Sequence, residues 1–233
     1  MMIDANSPAT AVGRNNDRPS AVQEIYTALR KRILTLALKP GEKLKKNMII
    51  AEFNVSPTPI RAAFMLLEEE GLVDIYPQSG TLVSYINVQS AREAHFLRMS
   101  VEIEIARRLC TTATALNIID LRTLTQKQKL FLQESNLLAF VDMDNTFHRR
   151  MYDMAGVVGL WDIVQVRCAD VNRLRQLHVP IEGKADRILK DHIAIVDAIE
   201  AHNPDAAEDA IRWHLKDTVS ADNDIRKFPE YFL

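Results

Sequence analysis

The sequence predicts a mostly α-helical protein in two parts: a small three-helix domain closed by a β-hairpin, then an all-α bundle of six helices. Three observations predict this. Apolar residues recur at steps of three and four along most of the chain. Strand-like alternation is confined to Leu72–Tyr76 and Thr81–Tyr85, separated by Pro77-Gln78-Ser79-Gly80. Beyond residue 86 glycine becomes scarce and the helical pattern runs on.

The chain of 233 residues is 47% apolar, so a sizeable core is available, and its net charge of −2 names no partner. Cys110 and Cys168 are its only cysteines, with no spacing that suggests a disulfide framework or a Cys-based zinc site. No apolar run approaches a membrane span. Residues 1–19 are polar and mixed, without the apolar core of a signal peptide, and are expected to be a disordered arm. A reducing cytoplasm is the expected location.

The elements follow in order. Val22, Ile25, Tyr26, Leu29, Ile33 and Leu36 predict a first helix over 20–38, and Lys39-Pro40-Gly41 a turn. A short second helix is expected over 46–53, with Ile49, Ile50 and Phe53 facing inward. Asn54 suits a left-handed turn. Ser56 is a good N-cap, and Pro57 fits the first helical position, where its missing N–H costs nothing. The third helix, 57–70, carries Ile60, Ala63, Phe64 and Leu67 on one stripe and stops at Gly71. Helix, helix, turn, helix and hairpin is the order of a winged helix-turn-helix, here spanning 20–86. Arg30, Lys31, Arg32, Lys39, Lys43, Lys45 and Lys46 crowd this domain, a local basic patch that can mark a phosphate-facing surface, with a solvated face as the alternative.

After a linker near 86–90, helices are predicted near 90–113, 117–134, 137–155, 159–178, 184–202 and 204–222, leaving 223–233 as a tail. Asn203-Pro204-Asp205 supplies an N-cap, a first-position proline and an early acid for the last of these. The domain of 90–222 carries polar residues inside its apolar stripes. Asp144 and His148 lie four apart on one face, His192 sits between Ile188 and Ile195, and His214 follows Ala207 and Ile211. Each buried polar group costs about 1–3 kcal/mol if unpaired, and one cation would satisfy all four together. A hydrogen-bonded, metal-free pocket is the alternative. Three imidazoles and a carboxylate suit zinc first, or nickel, iron or manganese, and do not suit calcium. Arg98 shares a stripe with Ala94, Val101 and Ile105, and is either paired with Glu102 four residues on or free to grip a ligand carboxylate bidentately. An all-α metalloenzyme with an appended helix-turn-helix is the rival class. Against it, there is no Glu-x-x-His pair of the di-iron type, no His-Glu-x-x-His and no phosphate loop.

The run Leu38-Lys39-Pro40-Gly41-Glu42-Lys43-Leu44, with Val55-Ser56, Thr58-Pro59-Ile60-Arg61, Leu67-Glu68, Gly71-Leu72-Val73 and Gly80-Thr81-Leu82-Val83, resembles the DNA-binding domain of GntR-family bacterial transcription regulators. The second half, through Leu97-Arg98, Glu102, Asp144 to His148, Asp191-His192 and Trp213-His214-Leu215, resembles the FCD ligand-binding domain of that family's FadR-like branch. Six helices after the linker resemble its VanR-like group. The resemblance covers roughly residues 20–222. It implies a regulator, typically a repressor, that binds palindromic operator DNA as a homodimer and answers to a small carboxylic acid. It implies a divalent metal on Asp144, His148, His192 and His214, with Arg98 and Glu102 at the effector. For DNA it points to Lys45, Lys46, Asn47, Ser56, Thr58 and Arg61, with Gln78 and Ser79 at the wing tip. Members commonly have Arg where this chain has Pro57, which offers no donor.

Overall fold

The computed structural model describes residues 20–220 and 222–233, so the arm expected over 1–19 lies outside the described residues. The N-terminal domain is built from α1 (Ala21–Leu34), α2 (Lys46–Phe53) and α3 (Pro57–Glu69), with β1 (Lys43–Leu44), β2 (Val73–Tyr76) and β3 (Gly80–Val83). The Ser20 hydroxyl caps α1 by accepting from the Gln23 amide at 3.3 Å. Asn54 ends α2 at φ 49°, the left-handed conformation that Asn tolerates. Ile25, Leu29 and Ile33 of α1 bury against Ile60, Ala63, Phe64 and Leu67 of α3, with Leu72, Val73 and Val83 closing the core. Each such fully buried side chain contributes roughly 1.5–3 kcal/mol.

The sheet has one strand more than expected. β1 pairs antiparallel with β3 through Lys43 opposite Leu82, and the order is β1-β3-β2. Two residues are too short to show alternation, so no sequence pattern marks β1. The wing turns between Tyr76 and Gly80, where Gly80 sits at φ +112° and an added Cβ would lie 2.8 Å from Lys43 Cε. Lysine can swing aside, but the backbone angle cannot change without opening the hairpin. Gly80→Ala is therefore expected to lower stability by about 1–3 kcal/mol, read as an earlier urea midpoint with unchanged slope.

The second domain comprises α4 (Val88–Thr112), α5 (Ala115–Gln133), α6 (Leu137–Met154), α7 (Gly159–Arg167), α8 (Ala169–His178), α9 (Lys184–Glu200) and α10 (Pro204–Leu215). The six expected helices are all present, one of them in two pieces. The helix expected over 159–178 divides at Cys168, whose ψ of 16° leaves the helical region and whose thiol lies 3.8 Å from the Ala94 carbonyl oxygen. The last long helix stops at Leu215, short of 222. Thr218 then turns inward to a buried position and Asp217 accepts from Arg187 at 2.9 Å. The stretch expected as a tail folds: α11 (Asp222–Lys227) and a 3-10 turn (Pro229–Tyr231) bring Phe232 beside Ile86. There the Ile86 amide donates to the Tyr231 carbonyl at 2.8 Å. The long helices α4, α5, α6, α9 and α10 enclose a core of Ile105, Leu109, Leu121, Phe147, Met151, Ile195, Ile199 and Ile211. No helix among the described residues is long and apolar enough to cross a membrane.

Candidate functional site

Helical spacing delivers four polar side chains to one point in the bundle. α6 supplies Asp144 and His148 from one face, α9 supplies His192 and α10 supplies His214. All four are buried, and one ligand-type atom from each lies within 4.8 Å of the others. His192 Nε2 is 3.6 Å from Asp144 Oδ1, His148 Nε2 is 4.0 Å from Asp144 Oδ2, and His148 and His214 bring their Nε2 atoms to 3.3 Å. The four residues selected from the stripes are thus brought together.

Each is also held from behind. His148 Nδ1 lies 2.9 Å from Glu102 Oε2, His192 Nδ1 lies 2.8 Å from Gln128 Oε1, and His214 Nδ1 lies 3.6 Å from Asp191 Oδ2. Arg175 Nη2 donates to Asp144 Oδ2. Phe147 stacks on the His192 ring, with centroids 4.2 Å apart and planes within 13°. For His192 the Gln128 acceptor keeps the proton on Nδ1 and turns the Nε2 lone pair inward, the arrangement typical of metal-binding histidines, whereas the Nδ1 atoms of His148 and His214 lie near carboxylates without completing a hydrogen bond. Burial holds the His192 and His214 imidazoles below their usual range, so they stay neutral. Burial alone would raise the Asp144 carboxyl. Arg175 and the surrounding imidazoles outweigh it and hold the group well below the usual carboxylate range. Neutral imidazoles and an ionised carboxylate are the protonation states that metal binding requires.

The residues fit a cation on a further ground. Asp144 Oδ1 and His192 Nε2 are buried with no hydrogen-bond partner among the described residues, and both belong to the cluster. A shared cation would satisfy both atoms. Gln128→Leu keeps the volume and removes the acceptor behind His192. It is expected to weaken zinc binding by about 10–100-fold with the fold retained, measured by competition with a chromophoric chelator.

Arg98 and Glu102 are paired inside, the first of the two alternatives open to them: Arg98 Nε donates to Glu102 Oε1 at 2.7 Å with both side chains buried. The other Glu102 oxygen lies 2.9 Å from His148 Nδ1, so the carboxylate stands between the arginine and that imidazole. Arg98 also lines a cavity of about 20 Å³ beside the cluster, with Arg175, His178, Lys184, His214 and Thr218. Three of these side chains are formally cationic and none is acidic, a lining that favours an anion. Sequence reasoning missed Gln128, Arg175 and Lys184 as parts of this region. Gln128 lies on the buried stripe of α5 with Leu121 and Leu124, and that position was the available signal. Nothing in the spacing of α8 marks Arg175.

Of the residues expected to meet DNA, Lys45, Asn47, Ser56, Thr58, Arg61, Gln78 and Ser79 are exposed and Lys46 is half-buried. Among the described residues no ion pair holds Lys45, Lys46 or Arg61. Ser56 occupies the N-cap position of α3 with extended backbone, but its side chain makes no capping bond. Part of the basic run is spent elsewhere. Arg32 pairs with Glu52, and Arg30 pairs with Glu70 at 2.8 Å and reaches the Gln165 carbonyl of α7 at 3.3 Å. Those two guanidiniums tie the protein to itself.

A winged helix-turn-helix joined to a helical bundle is the architecture of a DNA-binding transcriptional regulator. Residues 21–83 match the bacterial regulatory proteins of the gntR family, and residues 93–217 match the FCD domain. The chain belongs to the GntR family and carries an FCD domain. It is 30% identical over 212 residues to the HTH-type transcriptional regulator YdfH of Escherichia coli O6:H1, covering 91% of this chain and 93% of that one. It is likewise 30% identical over 205 residues to the HTH-type transcriptional repressor RspR of Escherichia coli K12, covering 88% and 90%. The solved structure of E. coli McbR/YncC superposes with a TM-score of 0.75 at 15% identity, covering 87% of this chain and 97% of that one, and supports the fold. The family and these relatives are regulators, which sets the metalloenzyme reading aside.

Proposed function

We propose that this regulator is a homodimeric, cytoplasmic repressor that binds operator DNA and is controlled by a small carboxylate held in its FCD domain beside a divalent cation. Asp144, His148, His192 and His214 would hold the cation, with zinc the first choice for three imidazoles and one carboxylate. The observation that carries this is the pair of partnerless buried atoms, Asp144 Oδ1 and His192 Nε2, in a cluster where Gln128 holds His192 and Arg175 holds Asp144. The cation would supply a positive centre for a carboxylate oxygen. Arg98, fixed by Glu102, and Lys184 would attract the same anion from the adjoining cavity, which has room for about one water and would have to widen to take it. Repression as the direction of control follows RspR, which is named a repressor.

Operator contact is assigned to Lys45, Lys46, Asn47, Ser56, Thr58, Arg61, Gln78 and Ser79, which leave the start of α2, the start of α3 and the wing open. In a dimer two such surfaces would meet half-sites one DNA turn apart or a multiple of it. The effector must bind the DNA-competent and DNA-incompetent states unequally, or it shifts nothing. The test has two arms. Metal analysis before and after chelation should find stoichiometric divalent metal that chelation removes. Its absence under chelator-free purification would leave the hydrogen-bonded, metal-free pocket. A mobility shift on DNA from upstream of its own gene should show sequence-specific binding that a carboxylic acid modulates. No specific shift across a range of salt would sink the regulator reading for this DNA surface.

A further inference from the structure

We infer that α8 is the element that carries the state of the metal cluster to the DNA-binding domain, with Arg175 as its sensor and Arg173 as its grip on the linker. The inference rests on the reading of Asp144, His148, His192 and His214 as a metal site, and concerns how that site is wired to the rest of the chain.

Of the four groups that brace the cluster, three lie on helices of the bundle's own core. Glu102 is on α4, Gln128 on α5 and Asp191 on α9. Arg175, the partner of Asp144, differs because it is on α8. That helix is only ten residues long, Ala169–His178, and its first residue packs into the other domain while Val171 and Leu174 pack into the bundle core. Ala169 is buried in the same apolar cluster as Ile25, Leu29 and Leu67 of the DNA-binding domain. Arg173, 1% exposed, donates to the Ser84 carbonyl at 2.5 Å and the Tyr85 carbonyl at 3.2 Å, and is held by Asp170 one turn back. Those two carbonyls belong to the connection that leaves β3 and enters α4. Arg175 lies two residues further on. It takes Asp144 with one nitrogen and approaches Asn145 Oδ1 at 3.4 Å with another.

Arg175 also stands at a boundary between two spaces. It lines the small cavity beside His214 and Arg98, and it lines a cleft of about 630 Å³ between α1 and the bundle, with Tyr26, Arg30, Asn145 and Trp161. An arginine with its stem between two solvent spaces can exchange partners without crossing a packed core. A cation on Asp144 shares the carboxylate's charge, so less of that charge is left for Arg175. An effector oxygen entering the small cavity, which has room for about one water, competes for the same guanidinium. Either event changes the force on α8 at one end, and α8 is a rigid body whose other end holds Ser84, Tyr85 and the DNA-binding core. The break at Cys168 is what allows α8 to respond separately from α7.

The test uses the full-length protein with zinc as the probe, chelated and then saturated. Two readouts are taken: amide exchange over residues 84–86, and affinity for DNA from upstream of its own gene. In the wild type, zinc is expected to alter exchange in the linker and to change DNA affinity by about fivefold or more. In R175Q, compared at saturating zinc with occupancy verified by metal analysis, both responses collapse. R173Q lies outside the cluster, so it takes zinc with wild-type stoichiometry and also loses both responses. Where R175Q fails to fill with zinc, R173Q decides. Where R173Q does not fold by circular dichroism, R173K, which keeps the buried cation and loses the fork, takes its place. Wild-type zinc responses in a zinc-filled variant overturn the proposal, as does a wild type that binds zinc and DNA but shows neither response. A wild type that takes up no zinc overturns instead the metal reading on which the inference rests.

Discussion

Removing divalent metal from the purified regulator is expected to lower its thermal midpoint by roughly 8–16 °C, and His148→Ala to abolish both metal uptake and that difference. Asp144 keeps one salt bridge to Arg175, but its Oδ1 and His192 Nε2 have no partner, and each such buried atom costs about 1–3 kcal/mol. A ligand present at about a thousand times its dissociation constant stabilises the folded state by about 4 kcal/mol. For a chain of this size each kcal/mol moves the midpoint by about 2–4 °C. His148→Ala removes a ligand and also strips Glu102 of the imidazole that shares it with Arg98. The same experiment has a pH arm. Burial holds His192 and His214 below their ordinary 6.5, so the unfolded chain binds protons there before the folded chain does. Stability must then rise with pH through that window, be fully present above about 6.5 and be lost on acidification. Metal binding follows the same sign, because protonated ligands release the ion. Calorimetry on chelated and zinc-loaded protein at several pH values measures both effects. Superimposed transitions, with no metal by elemental analysis, would remove the metal from the account.

Most of this architecture is legible in the sequence because helices announce themselves by period. Asp144, His148, His192 and His214 stand out as the polar residues that break an apolar stripe, and the bundle buries all four around one point. The same logic does not resolve Glu102. A stripe places it four residues after Arg98, but only three-dimensional packing of α4 on α6 shows that its second oxygen goes to His148. Arg175 is illegible for a related reason. Its significance lies in a partner 31 residues away and in the break at Cys168, and neither leaves a periodic trace. β1 escapes detection because two residues cannot show alternation. The return of Phe232 to Ile86 is a backbone pairing, and hydrophobic patterning carries little information about a lone bridge. Charge patterning overreaches in one respect. The basic run reads as a single phosphate-facing surface, yet Arg30 and Arg32 close ion pairs within the fold.

Arg61 is exposed on α3, without an ion-pair partner among the described residues, one turn from the helix start. If it reads a base edge, Arg61→Ala should weaken specific operator binding by about 1–3 kcal/mol, or roughly 5–150-fold, with little change in affinity for unrelated DNA. Lys45 and Lys46 are compact charges at the entrance of α2 and are better suited to phosphate. Replacing either by Ala should weaken specific and non-specific binding alike and flatten the salt dependence by about 0.9 for each phosphate no longer neutralised. Pro57 separates the two kinds of effect within one position. It is exposed at the first turn of α3, where proline suits the helix but offers the DNA nothing. Pro57→Arg forfeits some pre-organisation, about 0.4–1 kcal/mol of stability, and adds a cation at the start of α3. A contact to phosphate would steepen the salt dependence by about 0.9 and tighten binding to any sequence. A contact to a base would tighten only some operators and change the order of preference among them. Titrations of wild type, Arg61→Ala and Pro57→Arg on the same operator set at three salt concentrations distinguish these outcomes. Unchanged affinities and slopes for both variants would move the reading surface off the start of α3, leaving the wing and α2 to make the contact.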